Sequence, residues 1–294
     1  MRFNLRVLTA LLLLVAAVNA CASLGTTTAT PVAGNPGSAA APAVKPPRVT
    51  HEELQAVLWM QTSAEYWASA TAVYGAARRG IDAGLKDRKW TAATEQQGEF
   101  RRLPPAVILD IDETVLDNSR FQGRMIKDDR FYDTDVWDTW VAGHRATSVP
   151  GAVDFLRYAE EKQVAVFFVS NRTLIQETAT IENLRILQIH ATPETLLSKD
   201  ENGWTSDKSA RRAFVAAKYR VLALVGDDLN DFVSANDKTL KERAALAGTN
   251  AAFWGTRWFL LPNAMYGSWD RSLYPGVAGE DAQLAKKRSL VDSF

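Results

Sequence analysis

A short apolar run that ends in two carboxylates constrains the fold of this chain more than any other feature. Residues 106–110 are apolar up to Asp110, and Asp112 follows two positions later. Such a run is typical of a strand buried in a parallel sheet, and ligands bind at the carboxyl ends of strands in open α/β folds. Two carboxylates this close repel each other, so one titrates high unless a cation lies between them. The alternative is a strand that runs into an acidic turn, because D-x-D-x-T occurs by chance in roughly one chain in ten of this size.

Further apolar runs alternate with helical patterns along the chain. Strands are predicted at 164–169, 221–225 and 258–261, with amphipathic helices before and between them. This alternation predicts a three-layer α/β domain in which helices cover both faces of a parallel sheet. The helix that begins near Ser206 is expected to turn three positions inward, namely Ala210, Phe214 and Ala217.

Two segments lie outside this alternation. Residues 50–53 have the form of a capping box and start an N-terminal helical region that extends to about Arg79. Residues 118–147 are rich in aromatic and acidic side chains, and we interpret them as an irregular segment that forms a small cap. Trp137 and Trp140 have helical spacing within it, which is more typical of core residues than of a substrate wall.

Polar side chains stand just beyond the ends of three predicted strands. The carboxyl ends of parallel strands share one edge of a sheet, so side chains from different strands are expected to meet there. The groups concerned are Asp110 with Asp112, Ser170 with Asn171, and Asp227 with Asp231. If these groups converge, the acidic motif after the first strand is part of a binding site rather than an isolated acidic turn.

The first residues predict export. Residues 1–20 combine basic residues with an apolar stretch too short to span a bilayer comfortably, as in a signal peptide. The single cysteine, Cys21, follows directly, so the chain is either cleaved after Ala20 or lipidated on Cys21 at a site similar to a bacterial lipobox. We favour an exported lipoprotein anchored in the cell envelope, in the outer membrane or facing the periplasm. Residues 21–49 then form a flexible tether and residues 50–294 the folded domain.

The charge balance argues against one class of partner. The chain has 34 basic and 34 acidic residues, and its formal net charge is zero. It therefore offers no broad basic field that would bind a nucleic-acid polymer.

Four motifs together resemble one family. The sequences are DIDETVLDNS at 110–119, VSNR at 169–172, a downstream lysine, and GDDLNDF at 226–232. They are similar to those of the class C acid phosphatases, the 5′-nucleotidase lipoprotein group of the haloacid-dehalogenase (HAD) superfamily. The resemblance extends from about residue 54 to 270 and implies a HAD-like Rossmannoid sheet, and relatives of this kind suggest a homodimer.

The resemblance implies catalytic roles for individual residues. Asp110 would be the nucleophile that forms an aspartyl-phosphate, and Asp112 would protonate the leaving alkoxide and then deprotonate water. Ser170 and the neighbouring backbone would hold phosphoryl oxygens. Lys208 is our choice for the lysine that neutralises the developing charge, with Lys199 as the alternative.

The resemblance also implies a metal site. Mg²⁺ would be held by Asp110, by the backbone carbonyl of Asp112 and by Asp227, with Asp231 bound directly or through water. Asp228 departs from the family, which commonly has asparagine there. One alternative is that the extra carboxylate tightens metal binding or perturbs the pKa values of its neighbours. We favour the other, that its side chain is harmless and points into solvent.

Asn171, Arg172 and Tyr266 are the candidate substrate-binding residues. An arginine at a strand end is more often a structural partner, whereas Tyr266 follows the last strand at the expected edge, where it could stack on a nucleobase. Trp269 lies nearby and could equally close the core.

These inferences converge on a Mg²⁺-dependent hydrolase of small phosphomonoesters, with nucleoside 5′-monophosphates as the expected substrates. Two alternatives remain open. One is a phosphotransferase that passes the phosphoryl group to an acceptor alcohol. The other is a non-catalytic protein that binds phosphoryl ligands on the same fold.

Overall fold

The computed structural model describes residues 51–293. The predicted signal peptide, the tether and Cys21 lie outside these residues. None of the helices within residues 51–293 combines the length and the hydropathy needed to span a bilayer.

A five-stranded parallel sheet forms the centre of the domain. Its strands are β1 (Pro105–Leu109), β4 (Ala165–Thr173), β5 (Leu196–Lys199), β6 (Arg220–Gly226) and β7 (Trp258–Leu260). They run in the order β5-β4-β1-β6-β7, so the strand that bears the acidic motif is central, with Ile108 paired to Phe167 on one side and Leu224 on the other. The predicted strands are present, and β5 is an edge strand that the sequence analysis did not identify.

Helices cover both faces of this sheet. Along β1, Val107 and Leu109 face a core formed with α2 (Ala64–Lys86) and α5 (Ala152–Glu161), whereas Ile108 faces a second core on the side of α7 (Ser209–Ala216). Strand side chains alternate between the two faces, so an apolar run that is buried throughout requires cover on both. The predicted three-layer α/β architecture is therefore confirmed. Four further helices are α6 (Glu177–Ile186), α8 (Leu240–Thr249), α9 (Ser268–Arg271) and α10 (Glu280–Ser289).

The N-terminal helical addition consists of two helices. α1 (Leu54–Thr62) starts after Glu53, which makes no side-chain capping bond at this helix start. Thr50, the first residue of the predicted capping box, lies outside the described residues. The helix is interrupted at Ser63, whose Oγ accepts the backbone N–H of Tyr66 at 3.0 Å and caps the start of α2. Helical structure then continues to Lys86, beyond the predicted end.

The segment predicted to be irregular is largely helical. It contains α3 (Ser119–Lys127) and α4 (Thr134–Ala142), and a short antiparallel pair, β2 (Leu116–Asp117) with β3 (Thr147–Ser148), brackets both helices. Asp133 caps α4 by accepting the backbone N–H of Val136 at 3.1 Å. The prediction failed because each helix has only 9 residues, too few for an apolar periodicity to stand out in the sequence.

The inward face of α7 is the opposite of the predicted one. Phe214 is 39% exposed, whereas Arg211 and Arg212 are completely buried. Sequence periodicity assigns arginine to the surface, because a buried guanidinium is costly unless its donors are satisfied. Here they bond to carbonyl and carboxylate oxygens near the carboxyl edge of the sheet.

Candidate active site

The loop that follows β1 carries both carboxylates of the acidic motif. The backbone N–H of Asp110 donates to the carbonyl of Val225 at 3.0 Å, which ties the start of the loop to β6. Glu113 turns the chain with a φ of 57°, and its Oε1 accepts the backbone N–H of Asn118 at 2.7 Å. Hydrogen bonds thus fix this loop at both ends, and Asp110 and Asp112 line the same pocket.

Carboxylates from two strand ends meet in this pocket. Oxygens of Asp110, Asp227 and Asp231 all lie within 4.8 Å of one another. The third predicted strand end also reaches the site, since Asn171 lines the pocket. Ser170 is fully buried beside it, and its Oγ accepts the backbone N–H of Arg172 at 3.1 Å.

Lys208 is buried between two of these carboxylates. Its Nζ donates to Asp110 and, at 2.6 Å, to Oδ1 of Asp231. Burial alone would lower the pKa of Lys208, but the two carboxylates outweigh burial and raise it. Burial raises the pKa of Asp110 to about 7 against the opposing effect of Lys208. The structure places Lys208 in the pocket lining, whereas Lys199 ends the edge strand β5.

Asp231 is held by donors on both of its oxygens. Its Oδ2 accepts the backbone N–H groups of Asp227 and Asp228 at 3.0 and 2.9 Å, while Oδ1 bonds Lys208. The carboxylate packs directly over Gly226, where an added Cβ would collide with it. A glycine is therefore required there, and Asp231 serves mainly to shape the loop after β6.

Asp227 is held only by neutral donors among its hydrogen-bond partners. Thr114 Oγ1 donates to Oδ1 at 3.1 Å, and Asn263 Nδ2 donates to Oδ2 at 2.8 Å. Burial, with the neighbouring Asp231 and Asp110, raises the pKa of Asp227 well above its usual value. Each Asp227 oxygen keeps a lone pair, so Asp110 and Asp227 suit a hard divalent cation, and Asp231 supports them.

Asp112 is bound by groups from β4 and from the start of α3. Arg172 donates to Oδ1 from Nη2 at 2.8 Å and from Nε at 3.0 Å, and Asn118 Nδ2 donates to the same oxygen at 2.8 Å. Arg172 is only 3% exposed. The structure thus gives this arginine a carboxylate partner inside the protein, and its predicted substrate contact remains a prediction.

Asn171 is also engaged within the protein. Its Oδ1 accepts from Arg211 Nη2 at 2.7 Å, and its Nδ2 donates to the carbonyl of Ser206 at 3.1 Å. Arg211 additionally donates to the carbonyl of Ser170. The amide of Asn171 is therefore fixed in orientation at the pocket wall, although its predicted role as a substrate contact remains a prediction.

Asp228 does not point into solvent, so that part of the prediction is wrong. Its Oδ2 accepts the backbone N–H of Ser268 at 2.7 Å, its Oδ1 that of Asn230 at 2.9 Å, and Arg243 lies 3.8 Å away. Burial acts to raise the pKa of Asp228, but the hydrogen bonds from Ser268 and Asn230 outweigh it and lower the pKa. The extra carboxylate links the loop after β6 to α9.

Aromatic side chains form much of the pocket wall. Tyr266 lines the pocket at the predicted edge, and Trp137 does so too, which contradicts its predicted place in the core. The cavity has a volume of about 280 Å³. Sequence reasoning missed several lining residues. The aromatic richness of residues 118–147 was a signal for Phe121, Gln122 and Tyr132, whereas no sequence signal pointed to Asn236 or Arg271.

Comparison with known proteins assigns the family. A family model for the HAD superfamily, subfamily IIIB (acid phosphatase), matches residues 33–269. The chain belongs to this acid phosphatase family. The resemblance noted from the four motifs is thereby confirmed.

The chain is also similar to solved structures and to curated proteins, several of which are acid phosphatases by name. Two structures of the class C acid phosphatase from Bacillus anthracis, one with tungstate bound, align with TM-scores of 0.74 and 0.73 at 32% identity, covering 83% of this chain and 98% of each of those chains. Acid phosphatase 1 of Solanum lycopersicum is 26% identical over 163 residues, and the stem 31 kDa glycoprotein of Glycine max is 23% identical over 168 residues. Each of these alignments covers 54% of this chain and 57% of the relative, so the chain spans little more than half the length of these curated relatives.

The position of Lys208 predicts that its substitution lowers activity, whereas substitution of Lys199 does not. Replacing the cation beside Asp110 should remove charge stabilisation in the transition state, so Lys208→Met should lower kcat/KM for p-nitrophenyl phosphate by about 10²–10³-fold. Lys199→Met serves as the matched control and should stay within about twofold of the parent, as expected for a substitution away from the site. An equal loss in both variants, or a loss confined to Lys199→Met, would contradict this assignment.

Proposed function

We propose that this protein is a Mg²⁺-dependent phosphomonoesterase that acts through an aspartyl-phosphate intermediate. The observation that carries the proposal is the separate engagement of two neighbouring carboxylates in one pocket: Asp110 is paired with Lys208, and Asp112 is paired with Arg172. A nucleophile and a proton donor in one site need different environments, and these two groups have them.

The two carboxylates suffice for a balanced reaction. An oxygen of Asp110 attacks phosphorus, the bond from phosphorus to the ester oxygen breaks, and that oxygen takes its proton from Asp112. Asp112 then accepts a proton from water as the water attacks the acyl phosphate. Inorganic phosphate leaves, and the carboxylate of Asp110 is regenerated. Lys208 stabilises the charge that develops on the phosphoryl oxygens.

The carboxylates of Asp110 and Asp227 fit a divalent cation. The ligand atoms that they offer are all oxygens, which suits Mg²⁺. Burial raises the pKa of each carboxyl, so a bound cation would relieve the cost of keeping both ionised. When bound, Mg²⁺ would supply charge neutralisation for an anionic substrate next to anionic side chains. The backbone carbonyl of Asp112 is the further ligand that the family resemblance implies.

Nucleoside 5′-monophosphates are the substrates that we favour. Phe121, Tyr132, Trp137 and Tyr266 line the pocket that contains the carboxylates. Stacking of a base on an aromatic side chain contributes about 1–3 kcal/mol and tolerates different bases. Such a wall suits a broad mononucleotide specificity better than recognition of a single base.

The nucleophile can be tested by substitution and by trapping. Asp110→Asn should abolish turnover of p-nitrophenyl phosphate and of mononucleotides, because an amide cannot form the acyl phosphate, while mononucleotide binding measured by calorimetry should persist. Rapid acid quenching of the parent enzyme with ³²P-labelled substrate should yield an acid-stable labelled protein that Asp110→Asn lacks. Hydrolysis at the parental rate by Asp110→Asn would overturn the mechanism.

The metal requirement has its own test. Dialysis against a chelator should reduce hydrolysis to the level of Asp110→Asn, and added Mg²⁺ should restore it, because the anionic site needs a cation to accept a phosphate dianion. In Asp227→Asn, half-maximal activity should require at least about tenfold more Mg²⁺, which is the expected size of losing one charged ligand. Full activity after complete metal removal would contradict the requirement.

Membrane attachment through Cys21 completes the proposal. The arrangement of signal peptide, single cysteine and tether supports a lipid-anchored protein in the cell envelope. The mass of the mature N-terminus should equal that of a chain starting at lipidated Cys21. A mass that matches an unmodified chain would contradict the anchor.

A further inference from the structure

Two tryptophans of α4 contact the two residues that hold Asp112. The centroid of the Trp137 ring lies 5.3 Å from Cζ of Arg172. Trp140 Nε1 donates to Oδ1 of Asn118 at 2.8 Å. The tryptophans are one helical turn apart, so one face of α4 reaches Asp112 by two separate routes.

We propose that α4 positions the proton donor of the active site, with Trp140 acting through Asn118 and Trp137 acting through Arg172 on Asp112. The inference rests on the proposed function and extends it, since it makes both tryptophans positioning residues. It also gives the buried Arg172 a role in orienting Asp112 rather than in binding substrate.

The amide of Asn118 shows how the first route works. An amide can flip by half a turn, and only its surroundings decide which end is the donor. Two N–H donors face the side-chain oxygen Oδ1 of Asn118: Trp140 Nε1 at 2.8 Å and Arg172 Nη2 at 3.4 Å. Asn118 Nδ2 must therefore face Asp112, where it donates to Oδ1 at 2.8 Å. Glu113 Oε2 and the Leu116 carbonyl, each 3.4 Å from Nδ2, favour the same orientation. The indole N–H is the shorter of the two donor contacts on the Asn118 oxygen, and it helps to present a donor to Asp112 in place of a repelling carbonyl.

The second route fixes the guanidinium of Arg172. Its Nη1 donates to Thr180 Oγ1 at 3.1 Å, Nη2 and Nε reach Asp112, and the ring of Trp137 lies against it. A cation over an indole ring is attracted to the ring and is also restrained by it. Trp137 lines the substrate pocket, so its contact with Arg172 connects the substrate wall directly to the group that holds Asp112.

The donors are distributed unequally between the two oxygens of Asp112. Oδ1 accepts three N–H groups at 2.8 to 3.0 Å, two from Arg172 and one from Asn118. Oδ2 receives one longer contact, from Arg172 Nε at 3.3 Å. A protonated carboxyl carries its proton on one oxygen, and the oxygen with fewer donors around it is the one that can hold it. The network therefore selects Oδ2 as the proton-carrying oxygen.

This role predicts a dependence on the leaving group that a merely structural role would not produce. A nitrophenolate leaves readily without a proton, whereas a more basic phenolate or an alkoxide needs one. In a series of substituted phenyl phosphates, kcat/KM includes steps only up to departure of the phenol. A misplaced Asp112 should therefore steepen the decline of kcat/KM with leaving-group basicity.

The variants are chosen to alter one contact at a time. Trp140→Phe keeps a ring but removes the N–H donor, and it should reduce kcat/KM for phenyl phosphate about fivefold more than for p-nitrophenyl phosphate, as expected for one lost hydrogen bond. Arg172→Lys keeps the charge but loses the planar guanidinium. It should reduce kcat/KM for phenyl phosphate about 10²-fold more than kcat/KM for p-nitrophenyl phosphate. Because Arg172→Lys changes a buried ion pair and could fail to fold, Trp140→Phe by itself is sufficient for the test.

Trp90→Phe provides a matched control. Trp90 also donates its Nε1–H to a carbonyl, that of Leu222 at 2.8 Å, and also packs against an arginine, with Arg257 Cζ 4.4 Å from the ring centroid. It lies outside the pocket lining, so Trp90→Phe should lower the thermal midpoint without changing the leaving-group slope.

The possible outcomes separate this inference from the proposed function. A steeper slope in Trp140→Phe, with the parental slope in Trp90→Phe, supports the positioning role. An equal loss across the ester series, an unchanged series in Trp140→Phe, or the same slope change in Trp90→Phe overturns it. A parent that hydrolyses none of the esters contradicts the proposed function itself, and the positioning role with it.

Discussion

Mutual repulsion among the aspartates at the carboxyl edge of the sheet is the constraint on which this site depends. Lys208, at the start of α7, offsets part of this repulsion, and two buried arginines of the same helix hold the surrounding backbone. Lys208 pairs with Asp110 and Asp231, Arg211 holds the end of β4 through the Ser170 carbonyl, and Arg212 donates to the Asn230 carbonyl at 2.8 Å and pairs with Glu95. Each cation fixes a different part of the site, so one short helix joins the loops that follow β1, β4 and β6. Removing any one cation would leave buried acceptors unsatisfied.

Much of the fold could be predicted from the sequence because strand signals are local. An apolar run flanked by turn residues specifies a buried strand wherever it occurs, and β1, β4, β6 and β7 were identified in that way. β5 could not be, because its four residues include Ser198 and Lys199 and carry no distinctive pattern. The face of α7 was reversed because periodicity places arginine outside. Only the tertiary structure shows carbonyl oxygens close enough to satisfy Arg211 and Arg212.

The candidate site was predictable in its composition but not in its pairings. The carboxyl ends of parallel strands lie at one edge of the sheet, so motifs at these ends come together regardless of which side-chain contacts they make. Which donor faces which acceptor depends on loops far apart in sequence: Arg172 bonds Asp112 across 60 residues, and Asp228 bonds Ser268 across 40. No local pattern encodes these distances. The predicted exposure of Asp228 was wrong for that reason, and for the same reason the internal partner of Arg172 could not be foreseen.

Asp110 and Asp112 differ chemically because each is paired with a different cation from a different part of the chain. A single cation between two carboxylates would leave them electrostatically alike, whereas separate partners make them chemically distinct. Lys208 holds Asp110 in the interior, where its side chain is 9% exposed, and Arg172 holds Asp112 nearer the cap, where its side chain is 19% exposed. Buried ion pairs contribute little net stability, because the loss of hydration offsets the Coulomb attraction. What the pairs provide is geometry. In the proposed mechanism, the inner carboxylate beside the lysine serves as the nucleophile, and the outer one beside the pocket wall carries the proton.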